Sequence, residues 1–274
     1  MAEDQFIATV EVVPPASPDA RPLLSALEAI AGLEVSAFSV ATNPVARPRM
    51  SALALCTLLQ QRTGRPAILH CTTRDHNRLS LQGLLWGARA LDIKTVLAAT
   101  GDVIALGDRA TTTAVCDVDV FDLIRMAREA GLRTGVVFDT HPESDGLKRA
   151  VSRLARKVEA GAQFAVTQPV YDEAAAAVLE AAAAHLSVPL IMGILPLHTA
   201  RHAEFLHRKV AGISVPRQVR SRMLQAHDPV QEGLANAREM FALARKRFAG
   251  ACLMPPFGRY ELLGEILPGS RRNR

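Results

Sequence analysis

The chain has 274 residues, 49% of them hydrophobic, which is enough to bury one large or two ordinary cores and too apolar for global disorder. Its 32 Lys and Arg against 27 Asp and Glu leave a net charge of +5, and much of that excess sits in Arg271, Arg272 and Arg274, so the body is nearly balanced. Nine Phe, two Tyr and one Trp are few for a nucleic-acid module built on base stacking.

Short apolar runs alternate with longer helical patterns. The first run, residues 6–13, ends at Pro14-Pro15 and precedes a helical stretch at 22–33. A second strand is predicted at 35–40, and the loop NPVARPRM leads to a helix at 51–63. A third strand at 66–70 is followed by a helix near 77–91, and a fourth strand at 95–99 ends at Thr100-Gly101-Asp102. A longer loop, 103–119, leads to a helix at 121–130. The fifth strand, 134–138, passes through DTHPESD into a helix at 147–160. Then come a strand at 163–167, a helix at 172–185, a strand at 189–195 and helices near 201–210, 216–225 and 230–248. An eighth strand at 251–255 and a closing helix at 260–266 complete the series.

Strands that read as continuous apolar runs suit a parallel sheet covered on both faces. Eight strand–helix units predict an α/β fold, a single (β/α)8 TIM barrel over residues 1–270 with a basic tail at 271–274. The rival is an open doubly wound sheet, which usually carries GxGxxG after its first strand; here that strand ends in VVPPAS. The Ala-rich run at 174–184 needs no reading beyond helix propensity.

Cys56, Cys71, Cys116 and Cys252 include no CxxC pair, so neither a zinc knuckle nor a redox dithiol is signalled. No stretch of about 18 apolar residues occurs, and the N-terminus has acids where a secretory signal carries bases. The expectation is a cytoplasmic protein with reduced thiols, acting on a small molecule rather than on nucleic acid or membrane.

Barrel active sites lie at the C-terminal strand ends. The polar residues there are Glu11, His70 with Thr72 and Asp75, Asp102, His141 with Glu143, Gln168, His198 and Arg259. Glu11 interrupts an apolar run inside a strand, facing either the helix layer or the mouth. Burial raises a carboxyl pKa and suits it to general-acid work, and the competing reading is a structural ion pair. Asp102 follows Gly101, which lets a ligand approach the backbone, although a plain turn or cap aspartate reads equally well. Gln168 offers both a donor and an acceptor to a ring edge. His198 and His202 share the i,i+4 spacing of a metal pair, but no third ligand is spaced to complete a site.

From about residue 6 to 266, the ordered set VEVVPPAS, NPVARPRMS, HCTTRDHN, TGD, HPES, RKVEAGAQFAVTQPVYD and GILPL resembles the methylenetetrahydrofolate reductase family. NPVARPRMS and VTQPVYD look closest to the reductase half of proteins fused to a homocysteine methyltransferase, and no methyltransferase half is present here. The resemblance implies a barrel that binds FAD without a Rossmann domain. It implies hydride transfer from NAD(P)H to 5,10-methylenetetrahydrofolate, giving 5-methyltetrahydrofolate, by a chain that forms homo-oligomers. By position, Glu11 matches the family's general acid, and Asp102 the aspartate that touches flavin and pterin. Gln168 matches the amide that reads the pterin, and Arg259 a folate-contacting arginine. His70, Thr72, Thr100, Gly101, Asp102, His141, Arg156 and Lys157 fall at cofactor-binding positions.

The chain also departs from the family pattern. The strand VVFDTHPE lacks the tyrosine that lies against FAD, unless Phe138 replaces it. Thr100 stands where an arginine is common, Val103-Ile104 replace Pro-Pro, and Ala200 replaces an aromatic that packs on nicotinamide or folate. These losses predict weakly held FAD. They keep open a flavin-free reductase using NADH directly, a folate-linked methyltransferase barrel, and a non-enzymatic barrel subunit.

Overall fold

The computed structural model describes residues 6–139, 144–210 and 212–269. Eight parallel strands close into one barrel in chain order: β1 (Ile7–Val12), β2 (Ala37–Val40), β3 (Ala67–Thr72), β4 (Thr95–Ala99), β5 (Arg133–Phe138), β6 (Phe164–Pro169), β7 (Leu190–Ile194) and β8 (Gly250–Leu253), with β8 pairing back onto β1. Helices α1 (Arg21–Ile30), α2 (Ala52–Thr63), α3 (Arg78–Ala90), α4 (Val120–Glu129), α5 (Ser144–Glu159), α6 (Glu173–Ala183), α7 (Ala200–Lys209), α8 (Arg217–Gln225) and α9 (Pro229–Arg247) form the outer layer. The fold is therefore the (β/α)8 barrel that the strand count implied. Among the described residues no helix is long and apolar enough to cross a membrane.

Each strand alternates between two buried faces. On β1, Ala8, Val10 and Val12 join the core under the helices, and on β3 Ala67, Leu69 and Cys71 do the same. Ala37, Ile68, Leu97, Phe164, Val166, Ile191 and Cys252 fill the barrel interior as a second cluster. Burial on both sides is why the strands read as unbroken apolar runs rather than as an alternation. Gly135 on β5 lies beside Phe164 on β6, and a Cβ there would stand 2.1 Å from the ring, so the interior layer closes only because position 135 has no side chain.

Short polar side chains set the starts of several helices. Ser51, Asn77, Asp119, Asp172 and Thr199 accept a bond from a backbone N–H in the first turn of α2, α3, α4, α6 and α7 respectively. Three expectations shift. The closing helix predicted at 260–266 is a run of 3-10 turns, Tyr260–Glu265, too short to bury an amphipathic face on its own. The loop after β2 contains a 3-10 turn, Pro44–Ala46. The sixth strand runs on through Gln168 and Pro169, past its predicted end at 167.

Candidate functional site

The strand periodicity decides which way Glu11 points. Because Val10 and Val12 face the helices, Glu11 lies on the interior face, and it lines a cavity of about 550 Å³ at the C-terminal mouth. Burial, reinforced by the nearby negative charge of Asp102, pushes its carboxyl up to about 7. The same rule carries Ser39, His70 and Thr72 into the mouth. His70 Nε2 and Ser39 Oγ are 2.7 Å apart, and burial lowers the imidazole to about 4, so His70 is neutral at physiological pH.

Asp102 follows Gly101, whose φ of +90° is a glycine conformation and whose missing Cβ would lie 3.0 Å from Arg74 Cβ. The Asp102 side chain is exposed at the rim, and its Oδ2 accepts the Val45 N–H at 2.5 Å. Val45 belongs to a tight loop in which Asn43, Val45 and Ala46 all have positive φ. A residue with no marked role in the sequence, Arg74, holds this loop. Arg74 is 4% exposed. Its guanidinium pairs with Asp75 through Nε at 2.6 Å and Nη2 at 2.8 Å, and it also donates to the carbonyls of Asn43 and Asp102, each at 3.0 Å. Asn43 Nδ2 adds a bond to Asp75 Oδ2 at 3.1 Å. One buried cation thus ties the ends of β2, β3 and β4 together around Asp102. The adjacent Arg-Asp in HCTTRDHN was the available signal.

On the opposite wall, β6 loses register with β7 between Val166 and Pro169. Thr167 Oγ1 fills the gap, accepting from Gly193 N at 3.0 Å and donating to Gln168 O at 2.8 Å. Gln168 lines the mouth, and its Nε2 donates to Asp139 Oδ1 at 3.1 Å. Lys157 also lines the mouth, with its Nζ bound to Val137 O at 2.6 Å. Burial pulls its pKa down, opposed by the charge of Asp139. At the outer rim the Phe257 ring stands against His198 and His202, with centroids 5.6 and 5.0 Å away.

A family model for methylenetetrahydrofolate reductase matches residues 1–246. The chain belongs to the methylenetetrahydrofolate reductase family. "Methylenetetrahydrofolate reductase 2" of Schizosaccharomyces pombe is 28% identical over 202 residues, covering 68% of this chain and 31% of the yeast protein. The 5,10-methylenetetrahydrofolate reductase of Pectobacterium carotovorum is 24% identical over 193 residues, covering 68% of this chain and 63% of that one. The matched region therefore spans less than two thirds of either relative. Among solved structures, an uncharacterized protein from Clostridium thermocellum that binds two copies of 5-methyl-5,6,7,8-tetrahydrofolic acid superposes with a TM-score of 0.69 at 14% identity, covering 96% of this chain and 94% of its own. A tryptophan synthase α-subunit from Pyrococcus furiosus gives 0.53 at 12% identity, covering 95% and 92%. At such identities the likeness is one of fold, which alone does not fix chemistry.

Of the residues matched to the reductase family by position, Glu11, His70, Thr72, Thr100, Gly101, Asp102, Lys157 and Gln168 meet in the one cavity. Two lie elsewhere. Arg156 is exposed on α5, its guanidinium 4.2 Å from the Phe121 ring of α4, because helical spacing turns it away from the face that carries Lys157. Arg259 pairs with Glu261 at 2.9 Å beyond β8 and does not line the cavity. His141 and Glu143 fall outside the described residues. Phe138 is fully buried in the core under the helices, so it does not supply the missing tyrosine to the mouth. The spacing of His198 and His202 serves another end: His202 Nδ1 accepts the His198 N–H at 3.3 Å at the start of α7.

Proposed function

We propose that this chain interconverts 5,10-methylenetetrahydrofolate and 5-methyltetrahydrofolate with reducing equivalents from NAD(P)H. The observation that carries this reading is Glu11, a mouth-lining carboxyl pushed up to about 7 beside Asp102. The five-membered ring of the substrate must open before its bridging carbon can accept hydride, and opening requires a proton on the departing nitrogen. A carboxyl that titrates near 7 is half protonated at neutral pH and so is matched to giving that proton. Opening leaves a cationic iminium, which the negative charge of Asp102 favours. The Gln168 amide reads an edge of the heterocycle, and neutral His70 offers a hydrogen bond without a competing positive charge.

The residues at the mouth suit FAD. Lys157 is a buried cation on the cavity wall, Thr72 and Thr100 bring hydroxyls, and a second cavity of about 390 Å³ adjoins the first through Thr100, Gly101 and Asp102. His70, Thr72, Thr100 and Lys157 would hold the cofactor. FAD bound there supplies a two-electron carrier between nicotinamide and folate. Direct transfer from NADH is the second reading. It is favoured by Thr100 where relatives carry arginine, by the outward burial of Phe138 and by the distance of Arg156 from the mouth.

The test separates the half-reactions under anaerobic conditions. Glu11→Gln is expected to slow folate reduction by at least 100-fold, the usual scale for removing a general acid, while reduction of bound flavin by NAD(P)H stays within a few-fold. Equal loss of both half-reactions would refute the acid role.

A further inference from the structure

Asp139, the residue after β5, and Gln168, on the neighbouring β6, meet on one wall of the mouth, with Gln168 Nε2 donating to Asp139 Oδ1 at 3.1 Å. A carboxylate accepts hydrogen bonds and cannot donate them, so only the NH2 end of the amide can face it. Turning the amide over would bring Oε1 against a carboxylate oxygen, losing the bond and setting two acceptors against each other. The orientation therefore follows from the chemistry of the partner rather than from how the amide atoms are assigned. The backbone of Gln168 is pinned separately, since Thr167 Oγ1 donates to its carbonyl and bridges to Gly193 N across the irregularity in the β6–β7 pairing. On the far side, Lys157 is anchored to Val137 O, two residues before Asp139, and lies within electrostatic reach of its carboxylate.

We propose that Asp139 is a positioning residue that locks the Gln168 amide with Oε1 toward the cavity, so that this wall selects a ligand presenting an N–H donor. The inference rests on the folate reading above: the pterin of a reduced folate carries ring N–H and amino donors that such an acceptor recognises. With the amide free to rotate, Gln168 offers donor and acceptor alike and this discrimination is lost. Asp139 acts through Gln168 and need not touch the ligand.

The test is a double-mutant cycle on the full chain with FAD added, read by the dissociation constant of 5-methyltetrahydrofolate. Asp139→Ala is expected to weaken binding by about fivefold, the value of one ordinary hydrogen bond. On a Gln168→Ala background the same change should have no further effect. Asp139→Asn keeps an acceptor oxygen for the Gln168 NH2 but can also turn to donate, which leaves two amide orientations of similar energy; binding should return to within about twofold of wild type, a rescue that a general loss of folding would not give. Equal weakening on both backgrounds would mean that Asp139 contacts the ligand itself. An Asn variant as impaired as Ala would mean that it acts through its charge. Either result overturns the proposal, as does an Asp139→Ala variant that binds like wild type. If the wild-type chain fails to bind 5-methyltetrahydrofolate at all, the functional reading falls and this inference with it.

Discussion

In the proposed reaction Glu11 is the acid, because a strand places it on the interior face and partial burial in the mouth disfavours its charge. Its pKa of about 7 lies above the ordinary glutamate value, so the folded chain binds more protons than the unfolded one between about pH 4.5 and 7. Stability contributed by the protonated group is thus fully present below pH 4.5 and is lost as pH rises through 7. Glu11→Gln should remove that slope and stabilise the chain at pH 8 by about 3 kcal/mol in urea unfolding, with little change at pH 4.5. The rate of folate reduction should fall above pH 7 as Glu11 ionises. Asp102→Asn removes the negative charge that helps to raise Glu11, so this limb of the pH–rate profile should move to lower pH, and an unmoved limb would exclude the coupling. The mouth also lacks an aromatic from position 138 or 200, and one stacking contact is worth roughly 0.5–1.5 kcal/mol beyond area burial. FAD should accordingly be lost on extensive dialysis, leaving a partly colourless protein that regains flavin absorbance when FAD is added. Stoichiometric retention would contradict this.

At the level of elements, the barrel depends on matched packing between neighbouring strands. Gly135→Ala would drive a methyl group into the Phe164 ring inside the barrel, where neither strand can yield without disturbing its ladder. A loss of about 1–3 kcal/mol in urea unfolding is expected, and Gly135→Ala with Phe164→Leu should recover part of it. The strands themselves were legible because burial on both faces leaves a purely local trace, an apolar run. Glu11 stood out for the same reason, as the one charge inside such a run. The ties around the mouth left no trace beyond the adjacent Arg74-Asp75 pair. Arg74 reads as an ordinary loop arginine until the fold brings Asn43 and Asp102 to it from 31 and 28 residues away. Asp139 reads as a turn residue until β6 sets Gln168 beside it, 29 residues on. Arg156 and Lys157 are adjacent in sequence and matched the same cofactor positions, yet neighbouring helix positions point about 100° apart, and only Lys157 reaches the mouth.

For the molecule as a whole, strand ends bring the carboxyls of Glu11 and Asp102 and the amide of Gln168 to one cavity, and helix α5 adds the buried cation Lys157. The same architecture serves unrelated reactions in other proteins, so what distinguishes this chain is the set of side chains at one end of the barrel. The most direct measurement is anaerobic turnover of 5,10-methylenetetrahydrofolate by the purified chain with NADH or NADPH, with and without added FAD, in wild type and Glu11→Gln. The predicted result is 5-methyltetrahydrofolate formed in step with nicotinamide oxidation by the wild-type chain, increased by FAD and abolished by the substitution. No 5-methyltetrahydrofolate from the wild-type chain with either nicotinamide, FAD present, would contradict it.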